Sequence, residues 1–218
     1  MNYKNKNLKI TCDGGAATGK STGAKLIAKK YNLAFLSSGL LYRYASYLIL
    51  KHRPLNKINF LKKKFKTLNY KKLQKIKLHS PAISYHSANI AKILSVRNIL
   101  KKYQKNFIKN NKRCVLEGRD ASTKIMPDSD VKFFFICKLD IAAKRRYKEL
   151  KKNNLNIKFI SVKKAIKLRD ISDKKRKHSP LKIHKNAVVV NSGKLSKQAM
   201  VTKMSKHVEK LIKEKYGN

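Results

Sequence analysis

Gly14, Gly19, Lys20 and Ser21 stand at the spacing GxxxxGK[ST], and the chemistry this spacing serves is the holding of a polyphosphate. Glycines let successive backbone N–H groups turn into a concavity that cradles phosphate oxygens. A helix beginning where the loop ends adds its positive pole. The Lys20 ammonium then reaches the β and γ phosphates, and the Ser21 hydroxyl is expected to hold Mg²⁺. The expected donor-binding residues are Gly14, Gly15, Ala16, Ala17, Thr18, Gly19, Lys20, Ser21 and Thr22, with Lys20 catalytic and Ser21 the metal ligand. A chance glycine-rich turn is the bland alternative. The apolar run before the loop and the helical pattern after it argue against that, but the loop does not name the phosphoryl acceptor.

In a chain this rich in lysine, positions held by arginine carry more information, because a guanidinium forks onto phosphate oxygens and an ammonium does not. Ser38, Tyr42 and Arg43 follow the second apolar run, where an acceptor phosphate would lie; a solvated helix face with a core tyrosine is the competing reading. Glu117-Gly118-Arg119-Asp120 closes a third run. Arg119 is expected to grip phosphate, with Glu117 or Asp120 holding it in place or holding a magnesium-bound water. Arg169, Asp173 and Arg176 are spaced to share one helix face, as a phosphate grip with an acid near the sugar or base, or as a surface ladder of ion pairs. Arg97 sits early in its helix and is placed to meet a base edge; of Arg145 and Arg146, one is expected at phosphate and the other in solvent.

The elements that must carry these residues alternate. Strands are expected over 8–12, 33–36, 113–116, 131–137 and 187–190, the run at 131–137 being apolar enough for a central strand. Helices are expected over 24–30, 40–51, 83–110 (as two meeting near Ser95, with Ser95 or Asn98 as cap), 141–151, 162–171 capped by Ser161, and from Ser196 to just before Gly217. Ser37-Ser38-Gly39 reads as a turn, 55–80 as weakly helical or irregular, and 173–182 as a mobile loop or hairpin edge. The sum is an α/β fold with a parallel sheet covered by helices on both faces.

With 42% hydrophobic residues in 218, the chain can bury one full-sized core. No apolar run is long enough to cross a bilayer, and the basic stretch 1–9 is followed by nothing like a secretion signal, so a cytoplasmic address is expected. Cys12, Cys114 and Cys137 are widely spaced in apolar runs and read as buried free thiols, without metal spacing. Lys and Arg total 55 against 11 Asp and Glu, a formal charge of +44. Such a surface attracts polyanions. A nucleic-acid-binding role with a non-catalytic nucleotide pocket is therefore the reading from another class, against a plain compositional bias, since the charge is gathered in no one stripe.

Taken together, the loop, Ser38-Gly39-Leu40-Leu41-Tyr42-Arg43, Val96-Arg97, Gly118-Arg119-Asp120, Pro127-Asp128-Ser129-Asp130, and Arg169-Asp170 with Arg176 and Ser179-Pro180-Leu181 resemble the bacterial cytidylate kinase family over nearly the whole chain. The resemblance implies a three-layer P-loop kinase fold and Mg²⁺-assisted transfer of the ATP γ-phosphoryl group to CMP or dCMP; a monomer is the expected state. It also implies a division into a core at about 8–54, 81–160 and 184–218, a monophosphate-binding insert reduced to about 55–80, and a lid at about 161–183. By resemblance Arg43, Arg119 and Arg176 hold the acceptor phosphate, Arg97 contacts cytosine, Arg169 and Asp173 approach the sugar, and Ser38, Tyr42 and Asp120 line the acceptor site; Lys20, Arg119, Arg169 and Arg176 are the expected catalytic set. The chain departs from the family in having Ser37 and Glu117 where aspartates are usual, Ala88 where a serine reads the base, Ala121-Ser122-Thr123 after the Gly-Arg-Asp, and Asn186 and Asn191 near the last strand. Kinases of another monophosphate, such as UMP or AMP, are the enzyme alternative.

Overall fold

The computed structural model describes residues 6–152 and 156–217, so the first part of the basic stretch expected at 1–9 lies outside the described residues. Its centre is a five-stranded, wholly parallel sheet: β1 (Leu8–Gly14), β2 (Ala34–Ser37), β3 (Arg113–Gly118), β4 (Val131–Ile136) and β5 (Val188–Asn191), in the order β2-β3-β1-β4-β5. β1 takes the middle place, and β4, the most apolar run, is interior beside it with a partner on each edge, as its composition led one to expect. β1 holds the middle because both its faces are covered. Leu8, Ile10 and Cys12 enter one core, while Thr11 and Asp13, facing the other way, are also buried and find polar partners.

Two helical layers cover the sheet. On one face α1 (Lys20–Lys30) and α9 (Lys197–Tyr216) pack Ile27, Met204 and Val208 against Phe133 and Phe135. Gly23 permits this approach, since a Cβ there would lie 2.7 Å from the Phe135 ring. On the other face α2 (Ser38–His52), α3 (Lys57–Lys66), α4 (Tyr70–Leu73), α5 (Pro81–Ile90) and α6 (Leu94–Asn110) gather Leu41, Leu61, Leu73 and Leu100 over Leu36 and Leu116. α7 (Leu139–Lys151) and α8 (Phe159–Lys175) pair with each other and close a small third core.

Several expectations are corrected. Ser38 and Gly39 make no turn: Ser37 ends β2, caps α2 by accepting from the Leu40 N–H, and the helix begins at Ser38. Residues 55–80, expected to be weakly helical or irregular, carry α3 and α4, each capped by an asparagine. α6 begins at Leu94 without a side-chain cap, so neither Ser95 nor Asn98 serves as one. α8 starts at Phe159, ahead of Ser161, and runs past Ile171 to Lys175, because Asp173 is fixed among arginines rather than freed into a loop. Cys12 and Cys114 are buried thiols, while Cys137 is half-buried. Among the described residues no helix is long and apolar enough to cross a membrane.

Candidate active site

Strand register assembles the site. Asp13 lies opposite Gly118 and Ser37 opposite Glu117, so the carboxyl ends of β1, β2 and β3 put the glycine loop, the start of α2 and the Gly118-Arg119-Asp120 segment side by side. Ligands of open parallel sheets bind at such an edge. Gly14 must be glycine, since its φ is +150° and a Cβ would lie 2.4 Å from the Phe135 carbonyl oxygen. Gly19 turns the loop into α1 with φ +80°. The Thr18 hydroxyl donates to the Gly15 carbonyl at 3.0 Å, and the Ser192 hydroxyl donates to the Thr18 carbonyl at 2.6 Å. Arg145 in turn donates to the Ser192 hydroxyl and carbonyl, at 3.0 and 2.8 Å.

Lys20 is buried at the root of the loop. Its ammonium donates to the Gly15 carbonyl at 3.0 Å and lies 3.5 Å from Glu117 Oε1. Burial, then the charge of Arg119, pull its pKa down to about 8 against the pull of Glu117. Glu117 is held on its other oxygen by the Ser37 hydroxyl at 2.5 Å, and the Ser37 N–H donates to the Tyr70 hydroxyl at 2.7 Å. Ser37 and Glu117 are thus directly joined.

The arginines converge around Asp173. Arg119 Nε donates to Asp173 Oδ2 at 2.9 Å, Arg176 Nη1 to Oδ1 at 3.3 Å, and Arg169 Nε stands 4.0 Å away. This is a buried hub and not a surface ladder. Burial alone would raise the Asp173 pKa, but Arg119, Arg169 and Arg176 outweigh it and hold the carboxyl below its ordinary range. Arg119 is therefore held by Asp173, and not by Glu117 or Asp120, the anchors expected from its neighbours in sequence. Asp120 instead accepts from Arg97 Nη2 at 2.5 Å and lies 3.8 Å from Arg176 Nη2. Arg97 also donates to the Ala91 carbonyl at 3.1 Å, and its guanidinium lies over the Tyr42 ring.

Arg43 has another setting. It donates to the Ser84 hydroxyl at 2.6 Å and the Leu78 carbonyl at 3.3 Å. Arg146 donates to the same hydroxyl at 3.3 Å. Burial, then the charges of Arg169 and Arg146, push the Arg43 pKa down to about 9. Burial and Arg119 likewise lower Arg169 to about 10. Among the described residues Arg169 Nε and Arg176 Nη2 have no hydrogen-bond acceptor. Crowded guanidiniums with buried N–H groups to spare call for an anion.

Of the expected residues, the loop, Lys20, Arg119, Arg169, Asp173, Arg176 and Asp120 form one connected cluster. Ser38 lies beside Gly118, its hydroxyl accepting from Gln104 at 2.6 Å. Ser21 and Thr22 are exposed on the first turn of α1. Ala88 brings no hydroxyl, and that of neighbouring Ser87 is buried and donates to the Ser84 carbonyl at 2.8 Å. Sequence reasoning missed Asp13. Its carboxylate accepts from the Ala121 N–H (2.9 Å), the Ser122 N–H (2.7 Å) and the Ser122 hydroxyl (2.6 Å), and so pins the segment after Arg119. It also missed Ser84, Tyr70 and the contact of Asp170 with the loop. An acid directly before the glycines was the one available signal.

A family profile described as cytidylate kinase matches residues 10–210. The chain is 34% identical to the cytidylate kinase of Thermosipho melanesiensis over 218 residues, covering 95% of this chain and 97% of that one. It is 35% identical to that of Bartonella tribocorum over 213 residues, covering 95% and 97%. Among solved structures, an uncharacterized protein from Eubacterium ventriosum superposes with a TM-score of 0.55 at 15% identity, covering 94% of this chain and 99% of that one. The shikimate kinase of Bacteroides thetaiotaomicron gives 0.50 at 11%, covering 93% and 98%. These two likenesses concern the fold. With the profile spanning most of the chain and the relatives matched end to end, the chain belongs to the cytidylate kinase family of phosphotransferases.

Proposed function

We propose that the chain transfers the γ-phosphoryl group of ATP to CMP or dCMP, giving ADP and CDP or dCDP. The observation that carries this reading is the arginine cluster around Asp173, facing Lys20 and the glycine loop across the strand ends. Phosphoryl transfer is mostly positioning and charge stabilisation, and this arrangement supplies both. The loop amides and Lys20 hold the donor phosphates. Arg43, Arg119 and Arg176 hold the acceptor phosphate, and Arg169 meets the charge that develops between the two. Ser38, Tyr42 and Arg97 line the acceptor nucleoside, with Asp120 fixing Arg97 and Asp173 fixing the arginines. Residues 55–80 serve as the monophosphate-binding insert and about 161–183 as the lid, which excludes water so that ATP is not hydrolysed.

Mg²⁺ fits the residues present. It retains several waters and takes other ligands from phosphates, so it asks little of the protein, and the exposed Ser21 hydroxyl at the head of α1 is a suitable hard oxygen. Among the described residues no group of three or more His, Cys, Asp and Glu is placed to hold a metal by itself. Held by Ser21, such an ion would supply positive charge that offsets the charge of the phosphates. Ser37 with Glu117 keeps one carboxylate beside Lys20, where the family more often has two aspartates.

A coupled assay of ADP release over CMP, dCMP, UMP and AMP tests the assignment. CMP or dCMP is expected to give the highest kcat/KM. Equal or better turnover of AMP would overturn the pyrimidine reading, and better turnover of UMP would show that the base contact absent at Ala88 is not replaced.

A further inference from the structure

The phosphate loop is not left entirely to nucleotide. The Ala16 N–H donates to Asp170 Oδ1 at 2.7 Å, across 154 residues of chain. Gly15 is what lets the carboxylate come so near, since a Cβ there would stand 2.6 Å from Asp170 Oδ2. The Ala16 methyl completes the contact by packing into the small core of Ala143, Leu150, Val162 and Ile166 from α7 and α8. One residue of the loop is thus bound to α8 through both its amide and its side chain. Asp170 adjoins Arg169 and lies one turn before Asp173, so whatever fixes Asp170 fixes both.

We propose that Asp170 is a positioning residue that ties the lid helix α8 to the phosphate loop. Its carboxylate takes the Ala16 amide in the manner of a phosphate oxygen and leaves the amides further along the loop to the donor. The tie makes donor loop and lid arginines one mechanical unit, so that Arg169 and the Asp173 hub stand where the loop puts the transferring phosphate. A hydrogen-bond acceptor is what the tie requires; the negative charge is secondary. The catalytic part of this proposal rests on the kinase reading above, whereas the tie itself does not.

Asp170→Ala and Asp170→Asn separate the possibilities. In Asp170→Ala, kcat for CMP is expected to fall on the order of 10–100-fold, as for a small misplacement of reacting groups. Its KM for ATP should stay within about twofold, because the phosphate amides are untouched. Asp170→Asn keeps the acceptor and should retain most of the wild-type kcat. Amide hydrogen exchange at Ala16, followed by NMR without nucleotide, should be protected in the wild type and in Asp170→Asn and fast in Asp170→Ala. Equal loss of kcat in both variants would overturn the proposal in favour of a charge effect, as would unchanged exchange at Ala16 in Asp170→Ala. A fall in KM for ATP with undiminished kcat in Asp170→Ala would also overturn it, showing Asp170 to be a competitor for the phosphate site. If the wild type fails to turn over CMP, the kinase reading fails by itself, and the exchange measurement still decides whether the tie exists.

Discussion

At the scale of single residues, the site is an excess of buried cations built to be completed by phosphate. Lys20 shows the logic. Its ammonium is buried, its pKa is drawn down to about 8, and its partners are one carbonyl and one carboxylate, so desolvation is offset only in part until an anion arrives. Lys20→Ala is expected to lower kcat by about 10²–10³-fold, the usual effect of removing one charge-stabilising donor. Its thermal midpoint should also fall by several degrees, because Glu117 stays buried and keeps its bond from Ser37 but loses its cation. Full turnover by this variant in the ADP-release assay would refute the proposed mechanism. Arg176 is wired further into the fold, donating to the Ser179 carbonyl and pairing with Asp173 and Asp120. Arg176→Ala should therefore lose both turnover and about 3 kcal/mol of stability in chemical denaturation, since two buried carboxylates lose a partner. The residue types were legible in the sequence: arginine is scarce here, and most of its buried copies converge on one place. What was not legible was the pairing. Arg119 has acids on both sides in sequence, yet its partner is Asp173, brought to it by the packing of α8.

At the scale of elements, strand ends and glycine spacing carried through from sequence to structure, while helix boundaries did so less well. Ser161 looked like a cap because serine at an N-terminus normally is one, but α8 begins at Phe159 without any side-chain cap. The missing cap is made good at the other end, where Asp170 and Asp173 bind the helix to the loop and to the arginines. Such contacts join residues far apart in sequence, so no local spacing announces them. Asp13 is the matching case on a strand. It fixes the π-helical turn Ala121–Ile125 to β1, and burial raises its pKa to about 6 against the lowering effect of its bonds from Ser122 and Ala121. The folded state thus binds this proton more tightly than the unfolded chain does. The stabilisation is complete below the ordinary carboxylate range near 4 and is lost as pH rises through about 6. Asp13→Asn turns an amide toward N–H donors, for a pH-independent cost of about 1–3 kcal/mol. It also removes the titration, so the stability difference should shift by about 2–3 kcal/mol in the variant's favour between pH 4 and 7, closing or reversing the gap. Urea unfolding of both proteins across that range measures the gap, and a constant gap would refute the assignment.

At the scale of the whole molecule, the formal charge of +44 is distributed unevenly in its acids more than in its bases. Between Asp13 and Glu117 there is no Asp or Glu at all, and this stretch supplies α1 to α6. Lys57, Lys62, Lys63, Lys64 and Lys66 on α3 and Lys101, Lys102, Lys105 and Lys109 on α6 are all exposed, and the two helices pack together, so their charges share one side of the molecule. Like charges held this close oppose compaction, and salt relieves them, because the screening length falls from about 30 Å at 0.01 M to about 3 Å at 1 M. The thermal midpoint is accordingly expected to rise steadily as KCl is raised from low ionic strength, with most of the gain made before the screening length drops below the spacing of neighbouring lysines. Replacing the lysines of α3 and α6 by glutamine should raise the low-salt midpoint and flatten the salt dependence. It should also weaken attraction to single-stranded RNA, reducing the slope of log affinity against log salt by about 0.7 for each phosphate that is no longer neutralised. The α6 lysines lie outside the proposed site, so replacing them alone should leave kcat for CMP unchanged, whereas α3 belongs to the proposed monophosphate-binding insert. A wild-type midpoint that falls with KCl would mean that the ion pairs, such as Lys215 with Asp130 and Lys163 with Asp140, outweigh the repulsion of the much larger number of unmatched lysines.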